Sequence, residues 1–158
     1  MSIEVRAAEP GDGAAFHAMV EALAISHGET EHFIARPSDY EAALFAPGGI
    51  IGGFLALVER QPAGCAIWHR SFSTFRGRET IYLEDLSVLP AFRRRGLARA
   101  LLKAVAKLAV ARGAPAVNWD MMAWNDGARV LYEAAGAEIE VGLCKCRLHG
   151  EALERLAE

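Results

Sequence analysis

The chain has 158 residues, 53% of them hydrophobic and 23% charged, a length and balance that fit one packed domain and exclude a disordered polymer. Seventeen Lys and Arg against twenty Asp and Glu leave a formal net charge of −3, so no global basic field recruits nucleic acid and no nucleic-acid partner is expected. The three cysteines (Cys65, Cys144, Cys146) and five histidines (His17, His27, His32, His69, His149) show neither a disulfide framework nor zinc-ligand spacing, and no metal is expected.

The opening residues MSIEVRAAEP lack the basic region and apolar run of a secretory signal. Residues 3–7 alternate, with β-branched Ile3 and Val5, and predict a first strand before the turn Glu9-Pro10-Gly11-Asp12-Gly13. Phe16, Met19, Val20, Leu23 and Ala24 then recur at helical spacing, and Gly28 supplies a C-cap. A polar connection follows over 29–37. Ser38 with Glu41 reads as a capping box that opens a short second helix.

The uncharged stretch 42–58 is broken by Pro47, Gly48, Gly49, Gly52 and Gly53. A membrane span needs about 20 continuous apolar residues, so this stretch predicts a helix end, a turn and a buried strand, with no membrane partner. The expected location is cytoplasmic. Residues 54–59 and 64–73 flank Arg60-Gln61-Pro62-Ala63 as a predicted hairpin, and residues 80–89, TIYLEDLSVL, predict the strongest strand, central in a sheet.

Leu97, Leu101, Leu102, Val105, Leu108 and Ala109 mark one face of a helix over 97–112, closed by Gly113. Residues 116–121 predict another strand, 125–135 a helix ended by Gly136, 138–148 a final strand pair and 151–157 a terminal helix. The order is mixed α/β: an antiparallel meander, then strand-helix crossovers.

Between the strongest strand and the strongest helix, the segment from Pro90 to Arg99 carries four arginines, Arg93, Arg94, Arg95 and Arg99. A helix N-terminus is already partially positive, so this placement is unfavourable unless an anion is bound. Gly96 and Ala98 allow close backbone approach, and a pyrophosphate could be cradled by N–H groups and neutralised by the arginines. The alternative is a solvated basic run. Neither a Walker loop nor a dinucleotide fingerprint is present.

Arg93-x-x-Gly96-x-Ala98, after a strand and opening a helix, resembles the signature of the GNAT superfamily of N-acetyltransferases. Tyr82-Leu83-Glu84-Asp85 before it, and Trp124-Asn125 through Tyr132 after it, are similar to the diamine (spermidine/spermine) acetyltransferase branch at matching spacing. The resemblance covers essentially the whole chain. It implies one domain over 1–158, with a central mixed, mostly antiparallel sheet of six to seven strands flanked by about four helices. It implies acetyl-CoA as co-substrate, a small-molecule amine as acceptor (polyamine, diamine or amino-acid-like), and a homodimer. Trp68, Phe72 and Phe75 read either as core or as part of such an interface.

By that resemblance, Leu86, Ser87 and Val88 pair their backbone with the pantetheine arm. The pyrophosphate falls on Arg93, Arg94, Arg95, Gly96, Leu97, Ala98 and Arg99. Asn125 reads as a cofactor contact, as a helix N-cap, or as both. Tyr132 matches the tyrosine beside the cofactor sulfur, where a hydroxyl can protonate the departing thiolate; the other reading is a half-buried core tyrosine. Glu84 matches the group that helps deprotonate the amine. Strand alternation sends Glu84 and Asp85 to opposite faces, so one of them is expected to meet the acceptor. The branch's tyrosine and glutamate at the end of the first helix are replaced here by Ser26, His27, Gly28 and Glu29, leaving His27 and Glu29 as candidate acceptor contacts. A non-catalytic acyl-CoA-binding module is the competing function. An RNA-binding use of the arginine run predicts steep salt dependence instead.

Overall fold

The computed structural model describes residues 2–158. The chain forms two compact units, one ending at Met122 and the other running from Ala123 to Glu158.

In the first unit, β1 (Ile3–Ala7) leads to α1 (Gly13–His27), which ends where Gly28 adopts φ 71 and Glu29 N–H bonds back to Ala24 O at 2.9 Å. α2 (Pro37–Phe45) starts one residue before Ser38. Pro37 occupies the first turn, where its missing N–H costs nothing, and Asp39 accepts from Arg36 N at 2.7 Å. The expected capping box of Ser38 with Glu41 is therefore not formed. Glu41 instead reaches the start of α1, accepting from Gly11 N at 2.8 Å and Gly13 N at 2.9 Å.

β2 (Gly52–Val58) turns into β3 (Gln61–Ser73) through Glu59 and Arg60, both at positive φ (49 and 68). Two left-handed residues make a tight turn that matches strand twist, so β3 begins at Gln61 and not at Gly64. Pro62 is accommodated beside a register irregularity that skips Ala63. β4 (Arg78–Val88), α3 (Leu97–Ala111) and β5 (Val117–Asn118) complete the unit.

The sheet order is β1-β2-β3-β4-β5, antiparallel except for β4 with β5. Cross-strand partners share a face, so register assigns sides. Cys65 and Ile67 pack with Phe16, Met19 and Leu55 on the α1 side. Gly64, next in β3, looks toward Leu101 of α3 on the other side. Leu97, Leu101 and Val105 are buried there, at 1%, 0% and 0% exposure. Each such side chain contributes roughly 1.5–3 kcal/mol, which makes α3 the anchor for everything at its N-terminus. Trp68 lies so close over Gly52 that a methyl group on that glycine would strike its indole, whereas Phe72 and Phe75 are exposed.

The second unit holds α4 (Asp126–Ala134) and α5 (Gly150–Ala157). Residues 138–148, expected to form a final strand pair, contain no strand. Gly142 at φ 100 interrupts the alternation, and Val141 and Leu143 are exposed. The sheet therefore has five strands among the described residues, not six to seven, and five α-helices. Among the described residues, no helix is long and apolar enough to cross a membrane.

Candidate active site

The strand order places β4 between β3 and β5, yet its two neighbours hold it very differently. With β5 it pairs only at Ile81↔Val117 and Tyr82↔Asn118. Beyond Tyr82, no further pair joins the two strands among the described residues, so the later part of β4 has no β5 partner along that edge. With β3 the pairing runs regularly from Ser73↔Arg78 to Trp68↔Leu83, then resumes at Ile67↔Asp85. Glu84 is the extra residue, a bulge that bends the strand and re-aims a side chain.

The bulge corrects the alternation expected for the acidic pair. Asp85 lies opposite Ile67 and therefore faces α1, and Ser87 confirms that side by donating its hydroxyl to Met19 O at 2.9 Å. Tyr82 and His69 face one another across the sheet and also belong to the α1 side. Glu84, two residues from Tyr82, follows them, so both carboxylates occupy one face of the sheet.

Several polar groups gather there. His69 Nε2 lies 3.3 Å from Glu84 Oε2, and its ring stacks on Tyr82 with centroids 5.1 Å apart. Burial, followed by a hydrogen bond to the Asp120 carboxylate, pushes the Tyr82 phenol up to about 12. Burial and the negative charge of Asp85 push Tyr40 of α2 up to about 12 as well. His17 of α1 meets Tyr40 edge-on at 5.9 Å and bonds Ala35 O at 3.0 Å. An acidic surface bordered by tyrosines and histidines suits a cationic amine.

The turn after β4 is held from within. Arg93 Nε donates to Val88 O at 3.1 Å, and Arg95 lies over the Phe92 ring at 5.5 Å. Arg94 and Gly96 both take positive φ, 60 and 84, and Gly96 caps α3 without any side-chain hydrogen bond or acidic residue in the first turn. Leu97, Ala98 and Arg99 thus present the N–H groups that a helix start leaves without helical acceptors, beside the exposed arginines. The Leu97 side chain is itself core, so only its backbone faces this end.

In the second unit, Asn125 Oδ1 accepts from Ala128 N at 3.0 Å. The N-cap reading of Asn125 is therefore realised, and its amide N–H group remains outside the cap. Tyr132, two turns along the same helix, is buried, and that burial raises its phenol above the ordinary tyrosine range. Such a group stays protonated at neutral pH and can act as a proton donor.

Other expected residues are placed less usefully. Leu86 and Val88 point to the α3 side with Ala66 and Gly64, leaving only their backbone for a ligand, and the Ser87 hydroxyl is committed to Met19. Glu29 is exposed and pairs with His32 at 3.6 Å; His27 ends α1. Cys65 is buried, which raises its thiol and keeps it protonated. His69, Tyr82, Tyr40 and Asp120 were not anticipated. A signal for the first pair existed: the short loop 74–77 sets Ser73 opposite Arg78, and counting back along the hairpin puts His69 opposite Tyr82.

The model of the acetyltransferase (GNAT) family matches residues 16–137. A thialysine N-epsilon-acetyltransferase of Caenorhabditis elegans is 33% identical over 111 residues, covering 68% of this chain and 69% of that protein. An L-ornithine N5-acetyltransferase of Arabidopsis thaliana is 35% identical over 94 residues, covering 60% of this chain and 41% of that protein, so the chain spans less than half of that relative's length. Among solved structures, an aminoglycoside acetyltransferase from an uncultured soil metagenomic sample superposes with a TM-score of 0.76 at 24% identity, covering 94% of this chain and 100% of that one.

Proposed function

The chain belongs to the acetyltransferase (GNAT) family, and from that premise we propose that it moves the acetyl group of acetyl-CoA onto a primary amine of a small molecule. The observation that carries the proposal is the bulge at Glu84 on a strand whose other edge parts from β5 after two pairs. One edge is open to the amide-bearing arm of the cofactor, and the bulge turns a carboxylate toward the acceptor.

Each group has a chemical task. An amine is mostly protonated near neutral pH and must become neutral before it attacks. Glu84 accepts that proton, directly or through a water. The nitrogen lone pair then adds to the thioester carbonyl, the C–S bond breaks, and Tyr132 protonates the departing thiolate. The second proton, which the nitrogen sheds on becoming an amide, leaves to solvent, from which the phenol is restored. The backbone at Leu86, Ser87 and Val88 pairs with the pantetheine arm, and the turn from Arg93 to Arg99 holds the pyrophosphate. Asn125 uses its amide N–H group on the cofactor arm while its oxygen caps α4.

For the acceptor, two carboxylates on one face favour a cation, and relatives are named for the side-chain amines of thialysine and ornithine. An amino-acid-like diamine or a polyamine fits that chemistry, with His27 and Glu29 as further contacts. The reading includes one domain over 1–158, a cytoplasmic setting where acetyl-CoA is available, and a homodimer, which light scattering of the purified protein tests. The competing reading, a non-catalytic acyl-CoA-binding module, is disfavoured by the enzymatic names of the relatives.

The test is release of free thiol from acetyl-CoA with polyamines, diamino acids and aminoglycosides, beside Tyr132→Phe and Glu84→Gln. Acceptor-dependent release that falls by about two orders of magnitude in either variant is expected. Tight CoA binding without turnover on any amine favours the binding module, and no CoA binding ends the assignment.

A further inference from the structure

His69 sits on β3, opposite Tyr82, and both its ring nitrogens face oxygen. Nδ1 lies 3.1 Å from the carbonyl of Arg70 and Nε2 lies 3.3 Å from Glu84 Oε2. A carbonyl and an ionised carboxylate both only accept, so a neutral ring can donate to one of them alone; with its hydrogen on Nδ1, Nε2 presents a lone pair to Glu84. A lone pair facing an ionised carboxylate makes no bond. The contact closes only when one proton lies between them.

We infer that His69 is a positioning residue for acetyl transfer: with its resting hydrogen on Nδ1, it takes onto Nε2 the proton that Glu84 accepts from the substrate ammonium, and the shared proton then holds the carboxylate in place. The inference rests on the acetyltransferase reading and deepens it. The ammonium N–H bond breaks as the Glu84 O–H bond forms. The proton then moves to Nε2, which leaves an imidazolium beside a restored carboxylate, and finally to water, since the His69 side chain is 35% exposed. No oxidant or further reactant is needed.

The surroundings hold the ring for this task. Stacking on Tyr82 at an interplanar angle of 27° fixes its plane, and the Tyr82 phenol is tied to Asp120. The charged and titratable groups around His69 are Glu84 and Tyr82 on β4, Asp120 beyond β5 through Tyr82, and Asp85 farther along the same face. Arg70, adjacent in β3, turns away to Glu79 at 2.6 Å. With a hydrogen on Nδ1 toward the Arg70 carbonyl, Nε2 is left to take a proton from Glu84, and that sets the direction of proton movement.

His69→Phe keeps an aromatic ring over Tyr82 and removes both nitrogens. We expect kcat to fall about tenfold to a hundredfold with the KM for acetyl-CoA unchanged, and free imidazole to restore turnover in His69→Ala while leaving the wild type unaffected. Undiminished kcat in His69→Phe, or a loss confined to KM, overturns the inference and leaves acetyl transfer standing. Nitrogen NMR of the resting enzyme reads the tautomer without turnover: Nδ1–H is expected, and a neutral ring protonated on Nε2 overturns the assignment. A wild type inactive on every amine refutes the acetyltransferase reading itself, and the tautomer measurement then decides the placement of His69 alone.

Discussion

Ser87 donates its hydroxyl to the carbonyl oxygen of Met19 at 2.9 Å, a buried bond that ties β4 to the middle of α1. The bond lies two residues from Asp85 and three from Glu84, so it sets how closely the acidic face approaches the helix. Ser87→Ala removes the donor while Met19 O keeps its helical partner, and no buried group is left unsatisfied. The expected loss is about 1 kcal/mol, read by urea unfolding. Ser87→Val adds bulk against α1 without a donor and should cost more, about 1–3 kcal/mol. A wild-type midpoint in both variants would show that the bond does not hold β4.

Glu41 makes a comparable link with no counterpart in local sequence rules. Its two oxygens accept from Gly11 N and Gly13 N, at 2.8 and 2.9 Å, and so satisfy orphan donors at the start of α1 from a different helix. Glu41→Ala should cost about 1–2 kcal/mol, in the range of a lost N-cap. Glu41→Gln retains one acceptor and should lose less. Thermal unfolding with acetyl-CoA absent checks both, and equal losses would contradict the capping role.

These contacts mark how far the sequence could be followed. β1 and α3 fall almost where periodicity puts them, because each has a face set by local spacing and a glycine or turn at its end. Ser38 with Glu41 satisfies the capping pattern equally well, but Pro37 opens the helix earlier and Glu41 finds partners twenty-eight and thirty residues away. The bulge at Glu84 depends on two strands meeting with unequal residue counts, which no window of one strand reveals. Periodicity assigned the acidic pair to opposite faces for that reason. The arginine turn was legible because its charges offend a local rule, whereas His69 offends none, and only the hairpin register exposes it.

All three tyrosines, Tyr40, Tyr82 and Tyr132, have phenols raised by burial, the first two to about 12. An unfolded tyrosine ionises near 10. Below that pH both states are protonated and the groups do not change stability. As pH rises from 10 toward 12, the unfolded chain loses its phenolic protons first, and stability falls across that window. Ultraviolet titration of the native protein should show phenolate appearing later than in denaturant. A native tyrosine ionising at or below the denatured midpoint would contradict the burial of these groups.

The last prediction concerns Gly96, whose φ of 84 caps α3 where no atom lies within 4 Å of a would-be Cβ. The cost of Gly96→Ala is therefore torsional, about 1–2 kcal/mol for a left-handed alanine. The chain can escape that cost by rotating the N–H groups of Leu97, Ala98 and Arg99 out of line. If those groups hold pyrophosphate, CoA affinity should fall about tenfold at low and high salt alike, since the lost donors are not mobile charges. Arg94 offers the contrast. Its φ of 60 is also strained, so Arg94→Gly relieves the backbone while removing a cation, and its effect on affinity should shrink as salt screens the arginines. Calorimetric titration of CoA at two salt concentrations separates the two. A Gly96→Ala loss that vanishes in salt would mean that charge, not backbone geometry, holds the anion.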